Sequence, residues 1–146
     1  MNNSTEEPVV ALVVAAGSGS RLGVSVPKAL VELGGMSLVR RSILAMRAGG
    51  VGHVVITTPE GCLPTFETAL AGLDDVVCTV GGAERQDSVR LGLDVLWERF
   101  GPETIVLIHD AARPLVPPQV VTAVACAVAD GAAARFAVSP DFCRPL

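Results

Sequence analysis

Aromatic rings are scarce in this chain: of 146 residues none is Tyr, one is Trp and four are Phe. Half of the residues are nonetheless hydrophobic, with Val and Ala dominant. That balance excludes a disordered chain and suits a parallel sheet covered by helices. An excess of positive charge is also missing, since the formal net charge is −4, which argues against non-specific binding to nucleic acid. Any cation that matters must therefore act locally. No long apolar run occurs: Val120 to Ala129 spans ten residues and Thr122 interrupts it. About 20 would be needed to cross a bilayer, so no membrane association is expected. The four cysteines, Cys62, Cys78, Cys126 and Cys143, form no C-x-x-C pair and have no His at ligand spacing. They read as free thiols of a reducing compartment. The N-terminal MNNSTEEP is polar and acidic, unlike a secretory leader, and the expectation is a soluble, cytoplasmic protein. Repeats, low-complexity tracts and linkers are lacking as well. At 146 residues the chain fits a single domain, large enough for a core but small for an enzyme with two substrates.

What is present is organised around Val9 to Leu30, VVALVVAAGSGSRLGVSVPKAL. Val9 to Ala15 is a continuous apolar run of seven residues, the pattern of a strand buried on both faces. Ala15, Ala16, Gly17, Ser18, Gly19 and Ser20 then offer backbone N–H groups to an anion with no bulky side chain in the way. Arg21 follows with a planar fork for phosphate oxygens, and Lys28 adds a point charge that Pro27 helps to hold. Two better-known glycine loops do not fit. Gly17, Gly19 and Gly23 give G-x-G-x-x-x-G rather than the dinucleotide fingerprint, and Lys28 follows Pro27 rather than a P-loop glycine.

Strand-like and helix-like segments alternate along the rest. Ser37 is placed to cap a helix through Leu38, Ile43, Leu44 and Met46 that ends at Gly49-Gly50. His53 to Thr57 reads as the second strand, Pro64 to Leu73 as a short helix with Phe66 and Leu70 inward, and Asp75 to Val80 as the third strand. Asp87 or Ser88 is the expected cap of the next helix, with Val89, Leu91, Leu93, Leu96 and Trp97 as its buried stripe. Thr104 to His109 is apolar enough for a central strand. Pro117 to Asp130 is a helix with prolines at its start and Gly131 past its end, and Ala132 to Val138 opens a fifth strand. Such alternation implies βαβ units with right-handed crossovers.

Ligands of these sheets bind beyond the carboxyl ends of the strands, so the residues that follow each strand carry the functional reading. After the third strand comes Gly81-Gly82-Ala83-Glu84-Arg85-Gln86-Asp87-Ser88-Val89. Its backbone groups and the Ser88 hydroxyl have the donors and acceptors to read the polar edge of a base. Equally, Ser88 could cap its helix and Arg85 be a surface charge. After the fourth strand comes His109-Asp110-Ala111-Ala112-Arg113-Pro114. Asp110 there is poised for a hard cation such as Mg²⁺; alternatively it caps a turn and pairs with Arg113. His109, its neighbour in the strand, points to the opposite face and reads as structural.

Together, A-A-G-S-G-S-R, P-K-A-L, G-G-A-E-R-Q-D-S-V and H-D-A-A-R-P stand in order at successive strand ends. Over about Val9 to Gly131 this combination resembles the 2-C-methyl-D-erythritol 4-phosphate cytidylyltransferase family, within the nucleotidyltransferases. The resemblance implies an α/β fold: a doubly wound, mostly parallel Rossmann-like sheet with helices on both faces, incomplete at its C-terminus. It implies an enzyme of non-mevalonate isoprenoid biosynthesis that joins CTP to methylerythritol phosphate and releases pyrophosphate, with Mg²⁺ as cofactor. By the same resemblance, Ala15, Ala16, Gly17, Ser18 and Gly19 would wrap the triphosphate, and Arg21 and Lys28 would stabilise charge at the α-phosphate. Gly82, Ala83 and Ser88 would face the cytosine with Arg85 supporting the turn, Asp110 would bind Mg²⁺, and Ala111 would lie beside it on the nucleotide. The family often has a polar residue where this chain has Ala83. The acceptor could instead be another alcohol phosphate such as ribitol 5-phosphate, or the chain could be an inactive CTP-binding fragment. From Arg135 onward RFAVSPDFCRPL departs from the family pattern. Residues 135–146 are therefore expected to be a non-native tail of a truncated or frame-shifted product, without the acceptor-binding segment and the arm through which the family forms homodimers.

Overall fold

The computed structural model describes residues 8–16, 26–131, 135–139 and 142–145. In chain order its elements are β1 (Val9–Val14), a short 3₁₀ helix (Lys28–Leu30), β2 (Glu32–Leu33), β3 (Met36–Ser37), α1 (Leu38–Ala48), β4 (His53–Thr58), α2 (Leu63–Ala69), β5 (Val76–Val80), α3 (Arg85–Phe100), β6 (Ile105–Asp110), α4 (Pro118–Ala129), β7 (Arg135–Ser139) and β8 (Phe142–Pro145).

β1 and β4 are central. The sheet runs β5-β4-β1-β6 with every pairing parallel, and the apolar run of β1 pairs on both sides, Leu12 with Val55 of β4 and with Ile108 of β6. Alternation along β1 feeds two separate cores. Val10, Leu12 and Val14 pack with Val55 under α3, which contributes Leu96, Val89, Leu93 and Phe100. Ala11 and Val13 pack with Val54 and Ile56 against Val39, Ile43 and Met46 of α1, Phe66 of α2, and Val121 and Ala125 of α4. Helices thus cover both faces, the doubly wound arrangement read from the sequence. Each fully buried Val, Leu or Ile contributes about 1.5–3 kcal/mol, so the Val-rich β1 is the main organiser of both layers.

Several local expectations hold in detail. Ser37 caps α1, its side chain accepting from the Arg40 N–H at 3.3 Å. Phe66 and Leu70 are both buried. Between the 3₁₀ helix and α1 the chain makes a two-stranded turn that periodicity does not announce: β2 and β3 pair antiparallel around Gly34 and Gly35, with φ of 61° and 79°. Positive φ at both central residues is what a tight hairpin turn requires and what glycine permits.

Four expectations are corrected. α3 begins at Arg85, with Glu84 as N-cap and Asp87 closing a capping box, so neither Asp87 nor Ser88 is the cap. The buried stripe of α3 follows Ser88, Gly92 and Leu96, and Trp97 is 64% exposed, because a one-residue step rotates a side chain about 100° away from the sheet. β6 is an edge strand among the described residues rather than a central one: it pairs with β1 alone, and Ile108 stands beyond the cover of α3. Its apolar sequence reflects burial of Ile105 and Leu107 on the other face. The expected strand from Ala132 to Val138 lies partly outside the described residues; among those described, β7 does not extend the four-stranded sheet and pairs antiparallel with β8 in a hairpin of its own.

Candidate functional site

Because all four paired strands run parallel, their carboxyl ends lie along one rim. β1 ends at Val14, and the Ala15 N–H donates to the Thr57 carbonyl of β4 at 2.8 Å, so the first residue of the glycine loop is anchored to the neighbouring strand. Gly17, Ser18, Gly19 and Arg21 lie outside the described residues. The chain returns at Val26, and Pro27 in extended conformation leads into the 3₁₀ helix. Lys28 is exposed at the start of that turn, while Ala29 is buried beneath it and fixes the turn to the core.

The glycine turn after β5 is closely packed. Gly81 donates to the Thr58 carbonyl at 2.8 Å. A Cβ placed on Gly81 would come within 2.5 Å of the Ser88 Oγ and 2.7 Å of the Ala16 Cβ. Only glycine allows the end of β5, the start of α3 and the end of β1 to meet at this distance. Ser88 is fully buried; its Oγ accepts from the Gly82 N–H at 3.1 Å and lies 3.3 Å from the Glu84 carbonyl to which it donates. This hydroxyl holds the turn together from inside. Gly82 is partly covered and Ala83 is exposed.

The third part is Asp110, the last residue of β6, which lies in register with Val14. One carboxylate oxygen pairs with the Arg85 guanidinium, and the other lies 3.8 Å from Nε of Arg113. The pairing with Arg113 expected from spacing is thus the longer of two contacts; the closer one comes from the start of α3, 25 residues away in sequence. Ala111 behind it is fully buried, its N–H donating to the Val14 carbonyl at 3.0 Å and its carbonyl accepting from the Ser42 hydroxyl at 2.9 Å. Both backbone groups of Ala111 are therefore used to hold Asp110 in place. His109 bonds through Nε2 to the Arg113 carbonyl at 2.8 Å and closes the turn. Burial pushes its pKa below the usual histidine value, so it serves as a neutral structural donor.

The structure thus brings Ala15, Ala16, Gly82, Arg85, Ser88, Asp110 and Ala111 to one rim. Ser42 was not legible as part of the site, since nothing in its spacing marks it and its contribution is a single tertiary hydrogen bond. Among the described residues no group of three or more His, Cys, Asp or Glu could enclose a metal ion. A lone, half-exposed carboxylate fits a hard cation that keeps waters and brings phosphate oxygens with it, as Mg²⁺ does.

Residues 9–141 match the family model described as IspD: 2-C-methyl-D-erythritol 4-phosphate cytidylyltransferase. The chain belongs to this family. The enzyme of that name from Saccharopolyspora erythraea is 50% identical over 135 residues, which cover 90% of this chain and 60% of the relative. A solved 4-diphosphocytidyl-2C-methyl-D-erythritol synthase is similar with a TM-score of 0.70 at 27% identity, covering 88% of this chain and 58% of that one. The Mycobacterium tuberculosis protein Rv0371c, solved in complex with manganese, shares the fold with a TM-score of 0.63 at 20% identity, over 83% of this chain and 59% of its own. The chain therefore spans about three fifths of the length of these family members. The described residues contain no helix long and apolar enough to cross a membrane.

Proposed function

We propose that this chain carries the nucleotide site of a cytoplasmic cytidylyltransferase that moves a cytidylyl group from CTP to 2-C-methyl-D-erythritol 4-phosphate. In that reaction a phosphate oxygen of the acceptor attacks the α-phosphorus of CTP, and the bond to the β-phosphate oxygen breaks. The products are 4-diphosphocytidyl-2-C-methyl-D-erythritol and pyrophosphate. Both reactants are anionic, so the barrier is largely one of aligning like charges, and positioned cations lower it. Arg21 and Lys28 are assigned that task at the α-phosphate; losing one comparable donor costs about 10²–10³ in rate. Gly17, Ser18 and Gly19, with Ala16, offer backbone N–H groups to the triphosphate, while Ala15, whose own N–H is taken by the Thr57 carbonyl, anchors the start of that loop. The turn Gly82-Ala83, braced by Ser88, faces the base. Asp110 would hold Mg²⁺, which supplies charge neutralisation on the triphosphate and eases departure of pyrophosphate; the manganese complex of Rv0371c supports a divalent cation in this fold.

The observation that carries this reading is the contact between Arg85 and Asp110, which draws two of the four motifs to one point on the rim beside Val14. No observation favours ribitol phosphate as acceptor over methylerythritol phosphate. The test is pyrophosphate release from CTP with methylerythritol phosphate and Mg²⁺, run beside CTP binding by calorimetry. Turnover supports the full reaction. Binding without turnover limits the chain to the nucleotide half, and absence of CTP binding overturns the reading.

A further inference from the structure

The ion pair between Arg85 and Asp110 lies on the rim formed by the strands' carboxyl ends, beside Val14. Arg85 stands at the start of α3, just after β5, and Asp110 ends β6; β4 and β1 lie between these two strands in the sheet. Gly81 lies between Ser88 of that helix and Ala16 at the end of β1, and Asp110 is in register with Val14, so the guanidinium meets its partner beside the carboxyl end of β1. Both partners are open to solvent, with side chains 57% and 39% exposed. Exposed pairs of this kind are weak and exchange readily. A dication on Asp110 would also stand against the Arg85 guanidinium, and like charges at contact repel.

Resting on the nucleotide reading above, we propose that Arg85 is a third phosphate-binding cation, held in reserve by Asp110 and released by partner exchange. While they are paired, each neutralises the other. When the triphosphate enters with its hard cation, Asp110 turns to the cation and Arg85 to a phosphate oxygen, so every charge keeps a partner. The guanidinium suits this exchange, because its planar fork binds carboxylate and phosphate alike. No bond to the nucleotide is made or broken in this step. Arg85 begins the helix that carries Ser88, so filling the phosphate site and settling the base-facing turn become one event.

The test is calorimetric titration of the full chain with inorganic tripolyphosphate and, separately, CTP, each in EDTA and in Mg²⁺. The variants are Asp110→Asn, Arg85→Gln and the double substitution, with thermal melts to verify folding. In EDTA, Asp110→Asn frees the guanidinium and should tighten tripolyphosphate binding about threefold, the size an exposed ion pair supports. Arg85→Gln should weaken it, and in that background the gain from Asp110→Asn should vanish. In Mg²⁺ the sign reverses, with Asp110→Asn weakening CTP binding. A gain of equal size in both backgrounds reflects mere removal of a negative charge and overturns the exchange, as does no gain at all. Failure of the parent chain to bind CTP or tripolyphosphate overturns the nucleotide reading itself. Arg85→Lys, which keeps the charge but not the fork, should retain part of the effect.

Discussion

The hydroxyl of Ser42 on α1 donates to the carbonyl of Ala111 at 2.9 Å, and both residues are fully buried. This bond ties the helix on one face of the sheet to the backbone immediately after the candidate metal ligand. Ser42→Ala would leave a buried carbonyl without a partner, at a cost of about 1–3 kcal/mol. Because Asp110 is held by its neighbour, CTP binding in Mg²⁺ should fall more than binding in EDTA. Denaturant unfolding and calorimetry on the same samples check both parts, and equal losses would show that Ser42 serves stability alone.

Gly81 can be probed by a single methyl group. The added Cβ of Gly81→Ala meets Ser88 and the Cβ of Ala16, and neither can step aside, since one is fully buried and the other is fixed to backbone. Overpacking should cost about 1–3 kcal/mol. Separating the turn proposed to face the base from the loop proposed to hold phosphate should also weaken CTP binding by about tenfold or more. Unchanged affinity in a folded variant would mean that the two loops do not act together.

Thr57 carries a buried hydroxyl that has no hydrogen-bond partner among the described residues. Its carbonyl is used by Ala15, but the Oγ1 has only lost its water. Replacing it with an apolar group of the same shape should stabilise the fold. Thr57→Val is expected to add about 1 kcal/mol, which corresponds to a rise in Tm of roughly 4 °C. A lower Tm would reveal a partner for the hydroxyl.

The thiols should differ in reactivity. Burial, and to a lesser degree the charge of Glu67, pushes the Cys78 pKa up to about 11. At pH 8 about one thiol in a thousand would then be thiolate, the form that reacts. Alkylation followed by peptide mapping should label exposed Cys126 well before Cys78. Between the ordinary 9.0 and about 11 the unfolded chain ionises at this residue while the folded one stays neutral. Stability must therefore decline as pH rises through that window. Equal labelling rates would contradict the burial of Cys78.

Elements dictated by local chemistry were readable in the sequence. The Val-rich β1, the Ser37 cap and the proline-initiated α4 follow from side-chain shape and backbone preference within a few residues, and all three stand in the structure. The order of motifs at the strand ends was likewise readable, because parallel βαβ units place every such end on one rim. Which face of a helix meets the sheet was less so: Trp97 looked like core and is exposed, since amphipathic spacing in α3 is blurred by Gly92 and Ser88 at its closest approach.

On its own, the amino-acid sequence determined the alternating strands and helices, the two-faced burial of β1 and the family to which the chain belongs. Tertiary structure alone decided that β6 lies at the edge of the four-stranded sheet, that Ser42 steadies Ala111, and that Arg85 reaches Asp110 across 25 residues. Local propensity acts over a turn or a strand. Contacts between distant residues depend on crossover path and strand order, and these are set by the packing of the whole domain.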